Sequence, residues 1–290
     1  MKHGANPYQQ FVTEHARLFQ RGKKLAPVCP PKSPRQPKLP ADAPKALVFS
    51  PHPDDECLVG GLALRLLGES KWRITNVAVT LGSRPGRRPS RLRELRNACA
   101  VLGFDLVSLN LPNITPAARK KNWASWQASV KGIAKILAEH QPRVIFIPHD
   151  HDGHFTHVGT HLLVLDALQT LPAPFKCHVV ETEFWGQMTD PNLLAESGAE
   201  DVGVLVAALA CHVGEVRRNP YQARMPAWLM DNVRRGAERV GGQGGAAPDF
   251  TFATLYRLRR WANGRLVNVL KRGKFLSATE NPAGLFPQLR

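Results

Sequence analysis

The 290-residue chain has no run of about 18 apolar residues, the length a membrane-spanning helix needs. No membrane span is expected. Its first twenty residues lack an apolar stretch followed by small residues, so no secretory signal is expected either. Cysteine is scarce: Cys29, Cys57, Cys99, Cys177 and Cys211 are odd in number, scattered, and form no Cys-x-x-Cys pair. That argues against a zinc ribbon or a disulfide frame. They read as reduced, mostly buried thiols of a cytoplasmic protein. The glycine cluster Gly241-Gly242-Gln243-Gly244-Gly245 lacks a following Gly-Lys-Ser/Thr, so it is no phosphate loop. Acid is also short, with 23 Asp and Glu against 39 Lys and Arg and a formal charge of +16. The surplus favours acidic partners: nucleic acid, anionic lipid or polyanionic glycan. The basic segments lack interleaved aromatics, which weakens the nucleic-acid case.

What is present is a globular composition, 43% hydrophobic and 21% charged, which excludes global disorder. Residues 1–45 stand apart, with eight prolines, nine Lys or Arg and two acids. Pro27–Pro44 cannot be helix or central strand, because each proline removes a backbone donor. The segment reads as a Pro-rich basic arm, with a short helix near Pro7–Gln20. Residues 46–290 read as a single domain with a basic tail, since residues 257–274 hold seven Lys or Arg and no acid.

Strands are expected at Ala46–Ser50, Ile74–Thr80, Leu106–Leu109 and Val144–Ile147. Helices are expected at Leu58–Leu67, Ser90–Leu102, Asn122–Glu139, His157–Leu171 and Val202–Arg217, with another ending over Arg234–Arg239. Alternation of this kind implies βαβ units, an α/β fold and a mainly parallel sheet covered on both faces.

Two clusters carry chemistry. His52-Pro53-Asp54-Asp55-Glu56 follows the first expected strand, where an α/β sheet places its ligands. One imidazole and two carboxylates at that position suit half a metal site; they also suit an acidic helix start. His149, His151, His154, His157 and His161 follow the fourth expected strand, with Asp150 and Asp152 among them. Two such clusters at neighbouring strand ends can converge on one ion, and a catalytic zinc keeps three protein ligands and an open position.

At these residues the chain resembles the PIG-L/LmbE-type metal-dependent N-deacetylases. The first motif of that family, Ala-His-Pro-Asp-Asp-Glu, is matched by His52–Glu56, with Pro51 in place of Ala. The second, His-Pro-Asp-His, is matched by His154-Phe155-Thr156-His157. Arg91, Glu94, Ala98, Leu102 and Gly103 fit the helix between them. The likeness covers about residues 45–185.

The resemblance implies a Rossmann-like three-layer fold with its site at the carboxyl ends of the strands. It implies His52, Asp55 and His157 as ligands of Zn2+, with Fe2+ or another divalent ion as alternatives. Asp54 would be the general base, and His154 a charged stabiliser of the oxyanion that later protonates the leaving amine. The implied activity is hydrolysis of an N-acetyl group from an N-acetylglucosaminyl compound. The rivals are another amidase acting on a sugar conjugate and a non-catalytic polyanion-binding protein. The expected partner is a small-molecule or glycoconjugate substrate, with anionic contact through the arm and tail. Oligomeric state is not legible.

One position departs from the family: Thr156 stands where an Asp would orient His154. Asp150 or Asp152 could stand in. Arg91 is a candidate substrate-binding residue or a partner of Glu94. His212 is a candidate cleft residue or a core histidine. Trp185 could stack on a sugar or lie in the core, His161 could face the cleft or support it, and Glu56 could back the ligands or cap the helix.

Overall fold

The computed structural model describes residues 6–27, 29, 37–173 and 175–289. Helix α1, Pro7–Lys24, comes first. The Asn6 side chain accepts the Tyr8 N–H, and Pro7 occupies the first turn, where a missing N–H costs little. The domain proper runs β1 Lys45–Ser50, α2 Asp55–Leu58, α3 Gly61–Ser70, β2 Arg73–Ala78, α4 Arg88–Leu102 and β3 Asp105–Ser108. It continues α5 Pro116–Lys121, α6 Trp123–His140, β4 Val144–Pro148, α7 Phe155–Thr170 and β5 Cys177–Thr182. Then follow β6 Leu193–Glu196, α8 Ala199–Ala210, α9 Val213–Arg218, α10 Met225–Arg239, β7 Ala253–Ala262, β8 Arg265–Asn268 and β9 Lys274–Leu276.

One sheet runs in the order β3-β2-β1-β4-β5-β7-β6-β9, with β8 paired to β7. Strands β1 to β5 run parallel to one another, and β7 runs antiparallel to β5, β6 and β8. Strand β1 shows how the layers form. Ala46 and Val48 pack with Leu62, Leu66, Leu95 and Leu205, from α3, α4 and α8. Leu47 and Phe49 pack with Val130, Ile133, Leu163 and Val164, from α6 and α7. The period-2 alternation of a strand sends successive side chains to opposite faces, so both faces are covered. This is the expected Rossmann-like α/β architecture.

The sequence reading differs at three places. The helix expected over Leu58–Leu67 is two helices, because the chain turns at Gly60 with φ 85°. A Cβ there would come within 2.4 Å of Thr254 Oγ1, so only glycine fits. The helix expected over Val202–Arg217 is also two, broken at Cys211 and His212. The arm carries the longer helix α1; the described part of Pro27–Pro44 has neither helix nor strand, while residues 28 and 30–36 lie outside the described residues.

The reading of five free thiols is corrected. Cys29 and Cys211 form a disulfide across 182 residues, and Cys57, Cys99 and Cys177 are free and buried. Residues so far apart give no spacing signal, and only the packing of the arm on the domain brings them together.

The strand order places the site. From β1 the chain winds outward through β2 to β3; from β4 it winds the other way to β5. The crevice of such a sheet opens at that reversal, beyond the carboxyl ends of the strands.

Candidate active site

Because β1 and β4 are parallel neighbours, the loops that follow them leave the sheet at the same end. After β1 the chain turns tightly through Pro51–Asp54 into α2. Within this turn the His52 N–H donates to Asp55 Oδ2 at 2.8 Å, and the Asp54 N–H donates to Glu56 Oε2 at 3.0 Å. Asp54 itself holds φ 118°. That costs an L residue on the order of 1–3 kcal/mol and is met mainly at functional sites. After β4 the loop His149–Gly153 leads into α7, whose N-cap is His154.

The two loops bring three donor atoms together. His157 Nε2 lies 3.3 Å from both His52 Nδ1 and Asp55 Oδ2, and His52 Nδ1 lies 3.4 Å from Asp55 Oδ2. Four donors at about 2.0–2.1 Å from a tetrahedral ion stand about 3.3–3.4 Å apart. Two imidazoles and a carboxylate at that spacing fit a divalent metal. A nitrogen of His154 also lies within 4.8 Å of donors on His52 and His157. Burial pushes the Asp55 carboxyl up, but His157 and His52 outweigh it and hold it below the usual carboxylate range.

Asp152 orders the second loop. Its Oδ1 accepts the His154 N–H at 3.1 Å and lies 3.4 Å from His157 Nδ1. Its Oδ2 accepts the N–H groups of Phe184, Trp185 and Gly186 at 3.2, 3.0 and 3.3 Å. A carboxylate behind the far nitrogen orients a ligating histidine. Asp150 is engaged elsewhere, accepting from Arg257 Nη2 at 2.7 Å, and Arg257 in turn pairs with Glu181 and Asp190. Of the two carboxylates able to stand in for the missing Asp, Asp152 is in place, and it serves His157 rather than the His154 ring.

His154 Nδ1 accepts the Thr156 N–H at 3.2 Å, which leaves Nε2 to carry the proton of the neutral ring. Burial, then the neighbouring His52 and His157, lower its basicity. The environment therefore favours a neutral His154, where the resemblance implied a charged one.

Asp54 sits beside the donor triangle without joining it. Burial, and then the charge of Asp55, push its carboxyl up to about 6. The Tyr221 hydroxyl donates to Asp54 Oδ2 at 2.6 Å. Arg91 donates through Nη2 to Pro53 O at 2.8 Å, 3.9 Å from Asp54 Oδ2, and its Nε lies 3.9 Å from Glu215. It is not the partner of Glu94, which instead accepts the Gly214 N–H and faces Arg87 at 3.7 Å.

The structure brings His52, Asp54, Asp55, His154 and His157 together. It keeps His212 out of the cleft: the residue is fully buried, with Nε2 2.6 Å from Glu56 Oε1. Glu56, which also holds the Asp54 N–H, backs the turn from behind. His161 is buried, its Nδ1 donating to Pro148 O at 2.9 Å. Trp185 is 59% exposed and not in the core. Tyr221 was missed, since a lone tyrosine 167 residues from Asp54 carries no local signal.

Residues 47–168 match the PIG-L family, described as GlcNAc-PI de-N-acetylase, and that span contains every residue of the triangle together with Asp54 and His154. No curated protein matches the chain in sequence. In fold it is similar to the N,N'-diacetylchitobiose deacetylase of Pyrococcus horikoshii, with 16% identity, 88% of this chain and 93% of that one covered, and a TM-score of 0.54. It is similar to the A40926 pseudoaglycone deacetylase Dbv21, with 15% identity, 77% and 99% covered, and a TM-score of 0.57. The 4-carboxy-2-hydroxymuconate hydratase GalB of Pseudomonas putida has the same fold, with 17% identity, 74% and 95% covered, and a TM-score of 0.57. Residues 47–168, which carry both motifs into one crevice, thus match the PIG-L family of GlcNAc-PI de-N-acetylases.

Proposed function

We propose that this protein is a metal-dependent hydrolase that removes the N-acetyl group from an N-acetylglucosaminyl compound, releasing acetate and a free amine. The observation that carries the reading is the triangle of His52, Asp55 and His157 with the carboxyl of Asp54 beside it. An ion bound by those three residues, zinc by preference and Fe2+ or another divalent metal as alternatives, would supply Lewis acidity to the acetamide carbonyl.

The chain's own groups do the rest. Asp54 takes a proton from the water that attacks the acyl carbon, its raised pKa suiting proton exchange near neutrality; as the C–N bond breaks, His154 protonates the departing amine and is reprotonated from Asp54. Tyr221 occupies one oxygen of Asp54, leaving the other for that proton. His154, with Nδ1 engaged by the Thr156 N–H, donates from Nε2 to the oxygen on which charge develops. Arg91 secures the turn through the Pro53 carbonyl, 3.9 Å from Asp54, and stays a candidate for holding substrate. Glu56 and His212 keep the turn in register from the buried side. Phe155 and Trp185, both exposed, lie on the segments held by His154 and Asp152. They offer aromatic faces to a sugar ring.

The test is acetate release. Metal-replete protein incubated with a panel of N-acetylglucosaminyl glycosides and glycolipids releases acetate, and Asp54→Asn does not. No acetate across the panel, from protein that holds its ion, would overturn the reading. Release of a larger acid instead would assign the site to another amide of a sugar conjugate.

A further inference from the structure

Helix α1 is amphipathic. Tyr8, Phe11, Val12, His15, Leu18 and Phe19 recur at spacings of three and four and form one apolar face. A surface helix normally buries such a face, but this one does not. Tyr8 is 72% exposed, Phe11 59%, Val12 61% and Leu18 60%, and no residue of the helix is buried. Among the described residues nothing covers the outer part of the face. Only its carboxyl half rests on the domain. Arg224 stacks on the Phe19 ring at 4.9 Å, and Gly22 lies against Ala223.

That footing lies at the candidate active site. Ala223 and Arg224 adjoin Tyr221, whose hydroxyl holds Asp54. The surroundings carry more cations than acids. Helix α1 carries Arg17, Arg21, Lys23 and Lys24 against a single acid, Glu14, and Lys23 lies 5.7 Å from the Phe19 ring. Arg217 and Arg224 are exposed on either side of Tyr221, while the exposed Arg218 is paired with Glu215 at 2.6 Å.

An apolar helix face bordered by cations is the form of an interfacial helix that lies in a bilayer surface. The cations are attracted by anionic headgroups. A second copy of the chain fits less well, since it would bring another +16 charge against the same basic rim. Nucleic acid would leave aliphatic Val12 and Leu18 without a partner. We propose that α1 seats the protein on an anionic phospholipid bilayer. The docking stands on α1 alone and is independent of the deacetylase reading.

The test separates the two. Wild-type protein is sedimented with vesicles of phosphatidylcholine alone and with mixed phosphatidylcholine–phosphatidylserine vesicles. It is expected to co-sediment with the mixed vesicles and to remain in solution with the neutral ones. Phe11→Asp with Leu18→Asp removes the apolar face, and Arg21→Glu with Lys23→Glu reverses its border. Each pair is expected to weaken partitioning by roughly tenfold or more. The unfolding midpoint and the turnover of a soluble N-acetylglucosaminyl substrate should not change in either. Wild-type protein that ignores mixed vesicles, or variants that bind them equally well, would overturn the proposal. So would a wild-type dimer, seen by sedimentation velocity and lost in Phe11→Asp with Leu18→Asp, because the face then belongs to a second copy. If vesicle binding behaves as expected but no substrate releases acetate, the docking stands and the deacetylase reading fails.

Discussion

His212 Nε2 and Glu56 Oε1 lie 2.6 Å apart, 156 residues distant in sequence, with both side chains fully buried. Burial lowers the basicity of His212, but the Glu56 carboxylate outweighs it, so the imidazole is held above its ordinary range. The other oxygen of Glu56 accepts the Asp54 N–H. A buried ion pair thus supports the backbone of the strained residue at the centre of the site. His212→Ala leaves Glu56 buried without its partner. The expected cost is about 3–5 kcal/mol of stability, read from urea unfolding, with activity falling as well. A variant as stable as wild type would show that the pair does not hold the turn.

Asp54→Asn keeps the volume of the side chain but cannot accept the proton. Turnover should fall by about 100-fold or more, while the metal content by elemental analysis stays at the wild-type level. Retained turnover would remove Asp54 from the base role.

His157→Ala and Asp55→Ala each delete one corner of the donor triangle. Both should lose the bound ion, and chelation of wild type should abolish turnover and lower its unfolding midpoint to that of the variants. Restoring zinc should rescue wild type but neither variant. Full metal content in His157→Ala would place the ion elsewhere.

His178 tests the acid side of stability, far from the candidate site. It is buried at the start of β5, with Nε2 donating to Pro287 O at 3.0 Å. Burial lowers its basicity, the Pro287 bond partly offsets this, and Arg260 and Arg143 lower it further. A folded-state pKa below the unfolded value near 6.5 means that the unfolded chain binds the proton first. Stability is therefore lost as pH falls below about 6.5. The unfolding midpoint should drop between about pH 7.5 and about pH 5.5, and drop less in His178→Leu. Part of the slope should remain, since His161 is shifted the same way. An unchanged slope in the variant would exclude His178 as a source.

The Cys29–Cys211 disulfide closes a long loop and ties the arm beside His212. Cross-links of this kind contribute about 2–5 kcal/mol, mainly by restricting the unfolded chain. Reductant should lower the unfolding midpoint of wild type, and Cys29→Ser should match reduced wild type and ignore reductant. Thiol counting under denaturing conditions should give three free thiols in wild type.

The alternation of strands and helices, the sheet class and the core of the candidate site are legible in the amino-acid sequence. This information is local. Apolar runs of strand length mark β1, β2 and β4, and His52–Asp55 and His154–His157 each lie within one turn. Backbone geometry alone then places each cluster at the carboxyl end of a strand. What depends on pairing across the chain came only with the packed fold. The β1–β4 register set the three donors at metal-ligand spacing. The loop at Phe184–Gly186 claimed Asp152, and Arg257 on β7 claimed Asp150. Tyr221 reached Asp54, His212 went to Glu56 rather than the cleft, and Cys29 met Cys211. None of these has a period or a spacing to read. Each follows from which surfaces the packed layers bring within a few ångströms, a choice made by the burial of the whole core.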